Sequence, residues 1–273
     1  MLLGLSASGT VMALWALVEY GSVAHGLIRI LAPGAQQVVV AGTSQLLGFA
    51  FATWVIGFRA LRLSRRDLRW LPAGIGLKGF AIGLTLGAVA AGLALLGAVA
   101  FAHSHWYPDE GGLNDYIRQV AKTVVVLAPA ALSEELMFRG LPLVLLAAAR
   151  GRDVALVVVA GLLFALFHVL NPGVTALGLG NIALAGIFLG VAFYAPGGLW
   201  TAFGAHLGWN ATLAALDAPV SGMPFDIPFL NYCAGDPVWL SGGRFGPEGG
   251  LMATVAITAA LLVTLRWARK ELF

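Results

Sequence analysis

Residues 131–140 read Ala-Leu-Ser-Glu-Glu-Leu-Met-Phe-Arg-Gly, which puts three charged groups, Glu134, Glu135 and Arg139, into one apolar stretch. A charge inside such a stretch is costly and usually faces a cavity, where it works. Helical spacing separates the three. Glu135 and Arg139 are four apart, share a face and can pair. Glu134 lies about 100° round the helix from Glu135 and is less easily neutralised by the same arginine. The spacing therefore assigns Glu135–Arg139 as a structural ion pair. It leaves Glu134 as a working carboxylate, suited to general-base chemistry.

Two further apolar stretches carry isolated polar groups. Residues 164–171 read Phe-Ala-Leu-Phe-His-Val-Leu-Asn, with Phe164 one turn before His168 on the same helical face. Residues 199–210 read Leu-Trp-Thr-Ala-Phe-Gly-Ala-His-Leu-Gly-Trp-Asn, with His206 and Asn210 four apart on one face. Taken singly, each has a structural explanation. The charged triplet can be a buried polar knot, His168 a satisfied packing residue, and His206–Asn210 an interhelical hydrogen-bond pair. Taken together, a glutamate, two histidines and an asparagine around a small cavity can hold and activate a water.

The elements that must position these groups are membrane spans. Of the 273 residues, 59% are hydrophobic and 11% are charged, with a mean hydropathy of +0.88. A soluble domain carries about a quarter charged residues, so this chain has too little polar surface to coat a water-soluble globule. Eight apolar segments are predicted, near 8–31, 37–58, 77–102, 117–132, 154–170, 177–194, 199–216 and 251–265. The fourth continues, long or broken, to about residue 149, with Pro129 and Pro142 inside it. The fold class expected is an all-α, polytopic transmembrane bundle of about eight spans, forming a single domain over 1–273. The one cysteine, Cys233, excludes an intrachain disulfide and a cysteine-based metal site. The N-terminus has no basic run of the kind that opens a signal peptide.

The net charge of +3 is carried in short loops, which points to membrane orientation rather than to nucleic acid. Arg59, Arg62, Arg65, Arg66 and Arg69 follow the second segment, Arg150 and Arg152 the fourth, and Arg266, Arg269 and Lys270 the eighth. Eight spans put all three groups on one side, with both termini, and the positive-inside rule makes that side cytoplasmic. Arg118 and Lys122 run against this pattern. Residues 59–70 alternate basic and apolar types and read as a short amphipathic helix on the leaflet or as a basic loop. Measured from the cytoplasmic ends at ~1.5 Å per residue, Glu134 and His168 lie ~20 Å deep, Asn210 ~17 Å and His206 ~10 Å. That spread has to be absorbed by tilt or by helix breaks.

In order, Glu134-Glu135-x-x-x-Arg139, Phe164-x-x-x-His168 and His206-x-x-x-Asn210 resemble the motifs of the CPBP intramembrane proteases, also called the CAAX protease and bacteriocin-processing (Abi) family. The Gly-Gly-Leu-Trp run at 197–200 resembles the family's lead-in to its last histidine. The resemblance covers about 127–216, and the segments before residue 127 carry no family signature. It implies an eight-helix fold and endoproteolysis within or near the membrane. Glu134 would activate water, aided by His168, while His206 and Asn210 would bind a metal or stabilise the oxyanion. The family has been described both as zinc-dependent and as metal-independent. A ligand set of Glu134, His168 and His206 would suit zinc chemically, although no His-Glu-x-x-His is present. The partners implied are a peptide or membrane-protein substrate and the lipid bilayer, in a bacterial or archaeal inner membrane. The alternatives are a non-catalytic scaffold or immunity-type protein with a structural polar cluster, and a proton-relaying transporter. The transporter would call for matching broken or inverted segments, which the sequence lacks.

Overall fold

The computed structural model describes residues 33–150 and 154–272, and most of them are helical. The first predicted segment, 8–31, and Arg152 lie outside the described residues. The helices are α1 (Pro33–Ala52, continued by a π-helical stretch, Thr53–Ala60), α2 (Ala73–Ala102), α3 (Leu113–Phe138), α4 (Leu141–Arg150), α5 (Val154–Leu166), α6 (Ala176–Tyr194), α7 (Leu199–Ala215) and α8 (Leu251–Leu272). Four stretches are long and apolar enough to cross a membrane: Val38–Ala60, Ala73–Ala102, Ala176–Tyr194 and Leu251–Arg269. The chain is a mostly helical, multi-pass membrane protein. α3 carries too many charges to qualify by composition alone, and α5 and α7 are shorter.

Local chemistry sets the ends that matter. The fourth predicted segment is broken. α3 runs through Pro129 and stops at Phe138, and Arg139 and Gly140 both donate their backbone N–H groups to the Glu135 carbonyl, at 2.9 Å. α4 then starts with Pro142 in its first turn, where a missing N–H costs no helical bond. α5 ends at Leu166, earlier than the predicted 170, so His168 lies in the turn beyond the helix. Pro172 follows closely, and proline disfavours helical geometry in the residue before it.

Glycines set the packing around α7. It lies flush against α2, and α3 flanks it as well. A Cβ on Gly83 would sit 2.2 Å from the Thr201 carbonyl oxygen, and one on Gly87 2.0 Å from that of Ala205. The reverse also holds: a Cβ on Gly204 would fall 2.2 Å from the Phe80 carbonyl, and one on Gly208 2.2 Å from that of Leu84. Only glycine permits this backbone approach, the usual device for close packing between membrane helices. α1 packs on α3, α5 on α6, and α8 on both α2 and α6.

The loops at 103–114 and 217–250 join into one cap. Strands β1 (His105–Pro108) and β2 (Leu230–Cys233) pair antiparallel, with His105 opposite Cys233. Trp106 Nε1 and the Tyr116 hydroxyl donate to the Leu216 and Ala215 carbonyls, at 2.6 and 3.1 Å, tying the cap to the end of α7. Toward the opposite end of the helices, residues 61–70 form turns rather than an amphipathic helix. Arg69 folds back and donates to the carbonyls of Phe193, Tyr194 and Ala195, capping α6. Those carbonyls are the unpaired acceptors of a helix C-terminus, where a cation is favoured.

Candidate active site

Glu135 sits at the centre of a fully buried charge relay. Its Oε1 accepts from Arg139 Nη1 at 3.0 Å, the pairing expected from the spacing. The same oxygen also faces His206 Nδ1 at 2.8 Å, a contact the spacing does not reveal. Arg139 donates onward to the Gly186 carbonyl of α6 at 3.0 Å and lies 4.5 Å from the centroid of the Phe164 ring. The pair thus joins α3, α6 and α7, besides neutralising a charge.

Glu134 is turned about 100° from Glu135 around α3 and approaches the opposite edge of the same His206 ring. Its Oε2 lies 3.7 Å from His206 Nε2, too long for a hydrogen bond, and it is a buried oxygen with no partner among the described residues. The break after Phe138 places a helix end close to Glu134. Glu134 is then only about one turn from the end of α3, and His206 about two turns from the start of α7.

His168 is held by its own helix end. Its Nδ1 meets the Phe164 carbonyl at 2.7 Å, while its backbone N–H turns to Ala165 at 2.9 Å. The ring has taken the acceptor that a continuing helix would have used. Because a carbonyl only accepts, Nδ1 carries the proton, and in the neutral ring Nε2 presents a lone pair. Phe164 contacts both histidine rings, with centroids 4.6 Å from His168 and 5.9 Å from His206.

Glu134, His168, His206 and Asn210 all line one cavity of about 90 Å³. That is room for a few waters, and the polar groups needed to hold them are present. The rest of the wall is largely apolar, including Leu127, Ile182 and Leu189. Ser133 and Asn181 do not line it. Ser133 bonds the Ala130 carbonyl, and Asn181 ties α6 to the Glu248 and Gly250 carbonyls and to Thr254.

Sequence reading missed one acidic residue of the wall. Glu248 comes from the cap, in a short 3-10 turn (Pro247–Gly249), and reaches the cavity together with Ser221. Its Oε1 accepts from Trp209 Nε1 at 3.0 Å, and its Oε2 from the Ser221 hydroxyl at 2.9 Å and from the Ser221 backbone N–H. Burial pushes its carboxyl above the ordinary carboxylate range, against the pull of the Ser221 and Trp209 bonds. The one signal in the sequence is an isolated acid in a Gly-Pro-Glu-Gly-Gly run, next to an apolar helix.

Among the described residues, no three His, Cys, Asp or Glu side chains gather in a set that could hold a metal ion. The Glu134–His206 approach leaves His168 as the third donor required, and the three do not converge as ligands. The donor set does not fit a zinc centre as it stands.

This is a helical membrane protein whose Glu134, His168, His206 and Asn210 line one cavity beside the buried Glu135–Arg139 pair. Residues 116–212 match the family model described as type II CAAX prenyl endopeptidase Rce1-like. The match covers about a third of the chain and overlaps the stretch, 127–216, whose motifs resemble the CPBP intramembrane proteases. Comparison with curated proteins and with solved structures found no match.

Proposed function

We propose that the chain is an intramembrane endopeptidase in which Glu134 activates water against a peptide carbonyl. The observation that carries this reading is the orphaned Glu134 Oε2, buried 3.7 Å from His206 Nε2 at the wall of a cavity that His168 and Asn210 share. A water bound to that oxygen gives up its proton to Glu134, and the hydroxide adds to the carbonyl carbon. The His168 Nε2 lone pair can accept the water's second hydrogen bond and orient it.

Charge balance assigns His206. Glu134 and Glu135 are negative and Arg139 positive, and an uncompensated charge is expensive out of water. A protonated His206 brings the cluster to zero. With Nδ1–H held by Glu135, its Nε2–H then faces the cavity as a donor to the oxyanion, and the Asn210 amide supplies a second. Collapse of the tetrahedral intermediate breaks the C–N bond. The proton taken up by Glu134 passes to the leaving amine, so the net reaction consumes one water.

The substrate class is a peptide segment or membrane protein that can present an extended backbone at the cavity. The whole chain acts as one transmembrane domain of about eight spans, with both termini and the arginine-rich turns on the cytoplasmic side of an inner membrane. The test compares new protein termini in membranes of cells expressing wild type or Glu134→Gln at equal abundance. Wild type generates termini that the variant lacks. Equal termini, or a variant defect that tracks lost abundance, overturns the reading in favour of a structural polar cluster.

A further inference from the structure

A second concave site lies away from the cavity, and it makes no use of the proposed chemistry. A groove of about 900 Å³ opens between the 64–66 turn, the start of α2 and the start of α7. One end is basic. Arg65 and Arg66 are exposed, and among the described residues neither has a carboxylate partner. The neighbouring Asp67 is occupied, its Oδ2 accepting from the Ser64 backbone N–H at 2.7 Å. The other end is apolar. Phe80 of α2 and Phe203 of α7 stack with centroids 5.3 Å apart, Leu77 is 69% exposed beside them, and Trp200 closes the floor by donating to the Leu71 carbonyl at 3.3 Å.

This polarity runs along a helix that is long and apolar enough to cross a membrane. With that helix across a bilayer, the apolar wall would face acyl chains, and the two arginines, in the turn just before the helix, would stand at headgroup level. We propose that the groove binds an anionic phospholipid, with its phosphate on Arg65 and Arg66 and an acyl chain along Leu77, Phe80 and Phe203. Two adjacent guanidinium groups match the paired oxygens of a phosphate diester. The phosphate of a zwitterionic lipid carries its own cation, whereas an anionic lipid leaves a net charge for the arginines to meet. A soluble anion would leave the apolar half of the groove bare.

The test is native mass spectrometry of the full-length protein in neutral detergent, titrated with phosphatidylglycerol or phosphatidylcholine. Wild type retains phosphatidylglycerol in preference to phosphatidylcholine. The R65Q/R66Q variant weakens phosphatidylglycerol retention roughly tenfold or more and loses the preference. R266Q/R269Q, which removes two exposed arginines from α8, keeps it. Water-soluble glycerophosphoglycerol fails to displace the lipid. The proposal is overturned if R65Q/R66Q binds like wild type, if R266Q/R269Q loses as much, or if the headgroup alone competes as well as the intact lipid. Cleavage by wild type is not an input to any of these readings, so the groove and the active site stand or fall separately.

Discussion

Glu134 and Glu135 are adjacent in sequence and opposite in circumstance. Each has a buried Oε2 without a hydrogen-bond partner, but Glu135 is held through Oε1 by Arg139 and His206 away from the cavity, whereas Glu134 lines its wall. The two should therefore fail differently. Glu134→Gln is expected to unfold at the wild-type temperature in detergent and to lose cleavage. Arg139→Met strands the Glu135 charge, and removing one member of a buried pair costs about 3–5 kcal/mol. A large drop in melting temperature, with loss of folded protein, is the expected outcome for that variant. A stable Arg139→Met protein would contradict the relay. A third expectation concerns metal. Purified protein dialysed against a chelator should hold well under one zinc per chain and cleave at an unchanged rate. Elemental analysis beside the cleavage assay checks it, and a stoichiometric, chelator-sensitive metal would replace the glutamate mechanism.

Among the elements, α7 shows how a short helix is fixed in place. It carries His206 and Asn210, and its depth and rotation are set by glycines on both sides of its contact with α2. Gly83→Ala places a methyl against the Thr201 backbone and is expected to destabilise the fold strongly. Gly92→Ala, on the same helix with open space around its Cβ position, is expected to be neutral or stabilising by up to about 1 kcal/mol, because alanine is the better helix former. Thermal unfolding of the pair reads the difference. Equal melting temperatures would mean that α2 does not hold α7. The fate of α5 teaches a related lesson. Its apolar run looks helical to residue 170, but the His168 ring competes for the Phe164 carbonyl and the helix stops at Leu166.

The molecule as a whole closes its cavity with a segment that lies outside the family-matched region. Glu248 gathers Trp209 of α7 and Ser221 of the cap, so one side chain links the site helix to its cover. Glu248→Ala leaves the buried Trp209 indole without an acceptor, at about 1–3 kcal/mol, and frees the part-buried Ser221 N–H. The expected result is faster hydrogen exchange across 217–250, with α6 and α8 still protected. Unchanged exchange in that segment would show that the cap is held by its β1–β2 pairing instead.

Composition alone decided the solvent of this protein, since a chain with so few charges has no other way to cover its surface. Short-range geometry decided the Glu135–Arg139 pair and the divergence of Glu134, because both follow from the helical repeat. The rest needed three dimensions. That Glu135 also orients His206, that Glu134 approaches the same ring, and that Glu248 reaches Trp209 from a distant loop are contacts between residues 39 to 72 positions apart in the chain. No local periodicity encodes such a meeting. It is set by how closely glycine-faced helices pack and by where each helix ends.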